Sequence, residues 1–251
     1  MPIESHNFFF QGTKGITWLA NLGLAAAFAI WPFCRRPKQS NPETSQSRIE
    51  AETTTVDLVE WGIRLGQLGK PELAAQRLTR ATKINPEDAS AYYNLGLALL
   101  QTKQYAQARE AFDKAIELCP DLVAAYINLG CTLYAMGEYE SALCEFQKAV
   151  EKAEDDADAW FGLGCCYLAL GNGAESVKAF QQALKLKPSD FQATFNLAYA
   201  LQKQGQMELA ENHFRSFLET TGSELKEHRD YAQSIIHSIS KTQGTTDEIN
   251  A

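Results

Sequence analysis

Residues Ala89 to Leu122 read ASAYYNLGLALLQTKQYAQAREAFDKAIELCPDL. Counted from Ala89, Tyr92 stands at position 4, Leu95 and Gly96 at 7 and 8, Ala108 at 20, Phe112 at 24, Ala115 at 27 and Pro120 at 32. Apolar residues recur at helical spacing on both sides of a short polar break, which predicts two helices joined by a turn. Sliding the 34-residue frame back to Thr55 and forward to Val123, Ala157 and Phe191 gives five matches without insertion, ending at Glu224. Internal repetition at this period outranks every other signal in the chain.

Small residues at positions 8 and 20 allow two backbones to approach, and Leu, Tyr and Phe fill the volume beside them. Gly69, Gly137, Gly171 and Gly205 occupy position 15, between the two helices, where a left-handed backbone costs glycine little. Lys103 replaces glycine there in the second frame, so that turn is expected to be strained. Pro71 opens a second helix, where its missing donor is harmless. Pro86, Pro120 and Pro188 close second helices. In the third frame Glu154 takes the proline place, and Glu154-Asp155-Asp156 is expected to set the turn. The fifth frame decays, with Thr194 at position 4, Phe217 at 27 and Gly222 at 32. Beyond it Leu225, His228, Ala232, Ile235 and Ile239 fall at helical spacing, which predicts a capping helix over 225–241 and a disordered tail over 242–251.

These five in-register units resemble the tetratricopeptide repeat family over about two thirds of the chain. The resemblance implies an all-α fold: a right-handed α-solenoid of five helix pairs (55–88, 89–122, 123–156, 157–190 and 191–224) with a C-terminal cap. A lone unit cannot bury its apolar face, so stacked units share a core.

Ahead of the array the chain changes character. Residues 1–14 form a short N-terminal tail, and Gly15 to Phe33 runs 19 residues without a charge. A helix of that length spans about 28 Å, close to one hydrocarbon core. Trp18 and Trp31 stand near its ends, where indole rings favour the headgroup zone. Arg35, Arg36 and Lys38 follow it and Lys14 precedes it, which places the array on the cytoplasmic or stromal side of a single-pass anchor. A cleaved signal peptide, with Ala27-Phe28-Ala29 as the small-residue site, and a buried helix are the competing readings. Residues 34–54 are polar, hold two prolines and are expected to form a flexible linker.

Composition limits the function. The 251-residue chain carries a net charge of −8, against the basic face a general nucleic-acid binder needs. The six cysteines include no Cys-x-x-Cys pair and lie far in sequence from the four histidines, so neither a metal site nor a disulfide framework is read. No nucleophile, base and orienter set is legible, no cofactor or small-molecule substrate is expected, and the chain reads as non-enzymatic.

By resemblance, positions 2, 5, 6, 9, 12 and 13 of each unit line a concave groove. Position 6 carries Asn94, Asn128 and Asn196, interrupted by Gly162. These resemble the family's asparagine ladder, in which an amide both donates to and accepts from a peptide backbone. Position 5 carries Tyr93, Ile127, Phe161 and Phe195, and position 9 carries Leu97, Cys131, Cys165 and Tyr199. If exposed they form an apolar stripe fit for a partner; packed inward they are core. Lys203 is the only groove-position cation, while Val59, Glu60, Ala124 and Asp158 stand where chaperone-binding relatives use Lys and Arg. The expected partner is therefore an extended peptide or helix, apolar or neutral, and not the acidic C-terminus of a chaperone. One span followed by a repeat array is similar in layout to tetratricopeptide assembly factors for photosystem I, which implies a role in assembling a membrane complex. An exported binding protein and an enzyme's regulatory subunit remain the alternatives.

Overall fold

The computed structural model describes residues 45–222 and 225–249. The tail at 1–14, the span at 15–33 and the linker up to residue 44 lie outside the described residues. Eleven helices are present among those described: α1 (Ser45–Gln67), α2 (Pro71–Ile84), α3 (Ala89–Gln101), α4 (Tyr105–Leu118), α5 (Val123–Ala135), α6 (Tyr139–Lys152), α7 (Ala157–Ala169), α8 (Gly173–Leu186), α9 (Phe191–Lys203), α10 (Met207–Thr220) and α11 (Lys226–Ile249). The described residues contain no strand. They divide into two compact units, one ending at Lys152 and one beginning at Ala153. In the first, α1/α2, α3/α4 and α5/α6 form hairpins, with α2 against α3 and α4 against α5. In the second, α7/α8 and α9/α10 pair, α8 lies against α9, and α11 packs on α10.

Each hairpin closes on one contact. The ring of Phe112 sits over Gly96, where an added Cβ would stand 2.6 Å from it. Phe146 covers Gly130 at 2.9 Å and Phe180 covers Gly164 at 2.5 Å by the same measure, and Leu78 takes this place over Gly62. Beside each large side chain lie small buried ones: Ala108 and Ala115 beside Phe112, Ala142 and Ala149 beside Phe146, Ser176 and Ala183 beside Phe180. Burying one such ring contributes on the order of 2–3 kcal/mol.

The turns repeat as closely. Gly69, Gly137, Gly171 and Gly205 have φ between 68° and 82°. At each, the residue after the turn glycine donates its N–H to a carbonyl five residues back, as Glu138 does to Leu133 at 2.9 Å and Gln206 to Leu201 at 3.0 Å. Orphan carbonyls of the first helix are thereby satisfied. Lys103 makes the same bonds, its N–H to Leu100 at 3.0 Å and that of Gln104 to Leu99 at 2.9 Å, but at φ 60° with a side chain present.

Frame position 34 caps the next unit. Asp88, Asp156 and Asp190 each accept from two N–H groups in the first turns of α3, α7 and α9. Position 4 ties back to the preceding turn: the Tyr126 hydroxyl donates to the Pro120 carbonyl at 3.1 Å, and the Trp160 indole N–H to the Glu154 carbonyl at 2.9 Å. The turn without proline is thus held by Asp156 and Trp160.

Two sequence boundaries move. The linker expected over 34–54 is helical from Ser45, and no proline lies between Pro42 and Pro71 to interrupt it. The tail expected from 242 continues α11 to Ile249. Here Ala232 and Ile239 are buried, and Arg229 locks the helix start by donating to the carbonyls of Leu218 and Thr221 at the end of α10.

Replacing Lys103 by glycine removes a left-handed side chain while keeping both turn bonds. We expect Lys103→Gly to stabilise the chain by about 1 kcal/mol, read as a rise of roughly 2–4 °C in Tm by calorimetry. A fall in Tm would show that the lysine side chain contributes more than the turn costs.

Candidate functional site: the first-helix row

The residues expected at the groove positions are carried by α3, α5, α7 and α9. Tyr93, Asn94, Leu97, Ile127, Asn128, Cys131, Phe161, Cys165, Phe195 and Asn196 are buried, and Tyr199 is half-buried. The exposed aromatic stripe that the sequence leaves open is therefore not what the folded chain presents. Part of the reason is local. The position-5 ring leans on the position-24 ring of its own hairpin: Tyr93 on Phe112 at 6.0 Å, Phe161 on Phe180 at 5.7 Å and Phe195 on Phe214 at 5.6 Å between centroids. In the last repeat Phe217, His228 and Tyr231 add further ring contacts to Phe195. Tyr231 also donates its hydroxyl to Gln202 Oε1 at 2.8 Å, so α11 closes over Phe195 on α9.

The asparagines are oriented by their own helices. Asn94 Nδ2 donates to the Ser90 carbonyl at 2.8 Å, and Asn128 Nδ2 donates to the Ala124 carbonyl at 2.8 Å and to the Tyr93 hydroxyl at 3.2 Å. A backbone carbonyl only accepts, so each amide must turn its NH2 towards the helix and its oxygen away. Asn128 Oδ1 is buried and has no hydrogen-bond partner. A buried acceptor left unpaired costs about 1–3 kcal/mol, which a donor arriving at that oxygen would recover. Gln192 Oε1, at position 2 of the fifth unit, is a second buried acceptor without a partner, and the position-6 ladder did not point to it. Gln192 was legible only as a groove-position residue.

Charge and acidity complete the picture. Burial pushes the Tyr93 phenol well above its ordinary range, the Asn128 amide opposing this, so the hydroxyl stays protonated. Burial pushes the Cys166 thiol up to about 12, in keeping with a packing role and not with a nucleophile. Cys131 and Cys165 are buried. Lys203, the groove-position cation, stands 5.3 Å from the Tyr199 ring. Burial, reinforced by the charge of Asp156, raises the Asp158 carboxyl to about 6, with Lys187 acting against it and Asp190 with it.

The family model described as "Tetratricopeptide repeat" matches residues 59–123, 127–190 and 167–224. The chain belongs to the tetratricopeptide repeat family, and as such it is a scaffold for protein–protein interaction. Among solved structures, MamA (41-end) from Desulfovibrio magneticus RS-1 is 25% identical with a TM-score of 0.62, covering 66% of this chain and 94% of its own. YrrB, titled a TPR protein with an unusual peptide-binding site, is 20% identical with a TM-score of 0.61, covering 76% of this chain and 98% of its own. Pseudomonas aeruginosa PilF is 20% identical with a TM-score of 0.63, covering 77% of this chain and 93% of its own. At that identity the last two speak for the fold alone. No curated protein matches the sequence.

The Asp158 shift has a definite sign. Its folded pKa is raised above the ordinary value of 3.8, so its contribution to stability is fully present below that value and is lost as pH rises through about 6. Asp158→Asn is expected to melt with the parent at pH 4 and above it at pH 7. Paired thermal melts across this range check it; a constant difference at every pH would rule out Asp158 as the titrating group.

Proposed function

We propose that the protein is a membrane-anchored scaffold whose first-helix row takes up an apolar or neutral extended segment, or a helix, of a partner protein. The observation that carries this reading is the buried, partnerless Oδ1 of Asn128, held facing off its helix by the Ala124 carbonyl and the Tyr93 hydroxyl. A peptide N–H supplies the missing donor, and the surrounding Tyr93, Leu97, Ile127 and Cys131 offer an apolar wall to the side chains flanking it. Because Asn128 and Tyr93 are buried, a ligand must displace what lies against them, and the recovered hydrogen bond favours that exchange. YrrB, a TPR protein with an unusual peptide-binding site, shares the repeat fold.

The anchor is the uncharged stretch Gly15–Phe33, which lies outside the described residues. Among the described residues no helix is long and apolar enough to cross a membrane. Anchoring confines scaffold and client to one surface, so a modest intrinsic affinity gives useful occupancy. Such a tethered scaffold suits the assembly of a membrane complex, and photosystem I assembly is the case its layout resembles.

Two measurements test this. Fluorescence polarisation against uncharged apolar peptides is expected to show about tenfold weaker binding for Asn128→Ala, with helix content unchanged by circular dichroism. Equal binding would remove the row from consideration. Mass spectrometry of the mature chain is expected to find residues 15–33 retained; an N-terminus near Ile30 would replace the anchor with an exported protein.

A further inference from the structure

The first repeat carries a face that stacking does not explain. Trp61 and Arg64 stand three apart on α1 with Leu68 four residues further on, just past its end, and on α2 Leu73, Arg77 and Arg80 recur at steps of four and three, so each set forms one stripe. All six are exposed, Trp61 by 59% and Leu68 by 70%. The Arg77 guanidinium stands 5.9 Å from the Trp61 ring centroid and joins the two stripes into one surface. Among the described residues none of the three arginines has an ion-pair partner.

Later repeats show what is unusual here. Position 7, Trp61 in the first unit, is Leu95, Leu129, Leu163 and Leu197 afterwards, all buried. Position 10, Arg64 in the first unit, is Ala98, Thr132, Cys166 and Ala200, all buried. The first helices α3, α5 and α9 lie against the second helix of the preceding unit. A further repeat, or a second copy stacking in that manner, would bury the Arg64 charge where every other unit has a small residue, leaving it uncompensated. The face is thus built for something other than a repeat.

We propose that this face rests on an anionic bilayer surface. An indole and two leucines suit the headgroup zone, and arginine forks take phosphate oxygens in pairs. Residues 56–84 hold five cations against three carboxylates in a chain of net charge −8, so the attraction is local to this unit. Asp57, one turn before Trp61, marks its edge. Position also favours lipid over an acidic protein: residues 34–44 are the only chain between Phe33 and the start of α1, which reach no more than about 40 Å when extended. That proximity rests on the anchor reading; the chemistry of the face does not.

Two full-length single-tryptophan chains separate the claims. One keeps Trp61 (Trp18→Phe, Trp31→Phe, Trp160→Phe) and the other keeps Trp18 (Trp31→Phe, Trp61→Phe, Trp160→Phe). Both are mixed with phosphatidylcholine vesicles, with or without phosphatidylglycerol, carrying bromine on the acyl chains near the headgroup. Trp61 emission is expected to fall by at least about twofold on phosphatidylglycerol-containing vesicles only, and to recover in high salt. Arg64→Glu with Arg77→Glu in the Trp61 chain is expected to abolish the loss, with folding checked by circular dichroism. Quenching of Trp61 without quenching of Trp18 would sink the anchor and leave this proposal standing. Trp61 unquenched while Trp18 is quenched overturns it. So does equal quenching on neutral vesicles, and so does shielding of Trp61 by polyglutamate but by neither vesicle, which would make the occupant an acidic protein.

Discussion

The middle of the array depends on a large ring meeting a residue with no side chain. Phe112 over Gly96, Phe146 over Gly130 and Phe180 over Gly164 bring two helices together at distances a Cβ would not allow. That approach places alanines and Ser176 in full burial beside the ring. It also sets where the turn must fall, and the left-handed glycines close it with the same pair of backbone bonds each time. In the three middle units this one contact determines helix spacing, turn geometry and the direction in which the first helix offers its remaining side chains.

Those remaining side chains divide by physical role. The position-5 rings are drawn inward because the position-24 ring already stands at the hairpin centre and offers an aromatic neighbour. Asn94 and Asn128 at position 6 cannot turn inward completely, since their NH2 groups are claimed by carbonyls four residues back. The oxygen is left over, and at Asn128 nothing takes it. The first unit differs again: where later units have a buried leucine and a small residue it has Trp61 and Arg64, both exposed.

Legibility followed the same divide. Gly96, Ala108, Phe112 and Pro120 could be placed from their spacing, because a backbone contact that excludes a Cβ tolerates few residue types. Lys103 could be recognised as out of place for the same reason, and its φ of 60° bears this out. The caps Asp88, Asp156 and Asp190 recur at frame position 34 and were within reach of the same count. The ends of the array were not: 45–54 and 242–249 are helical, and stretches of this composition carry only weak local preference.

What the sequence determined by itself was the period, the hairpin, the turns and the candidate row, since each follows from covalent geometry and residue size at fixed spacing. What only the tertiary structure decided was which of the row's side chains are buried, which acceptor lacks a donor, and which face of the first unit is exposed. Those outcomes depend on what lies across from each residue, and that neighbour is many positions away in the chain.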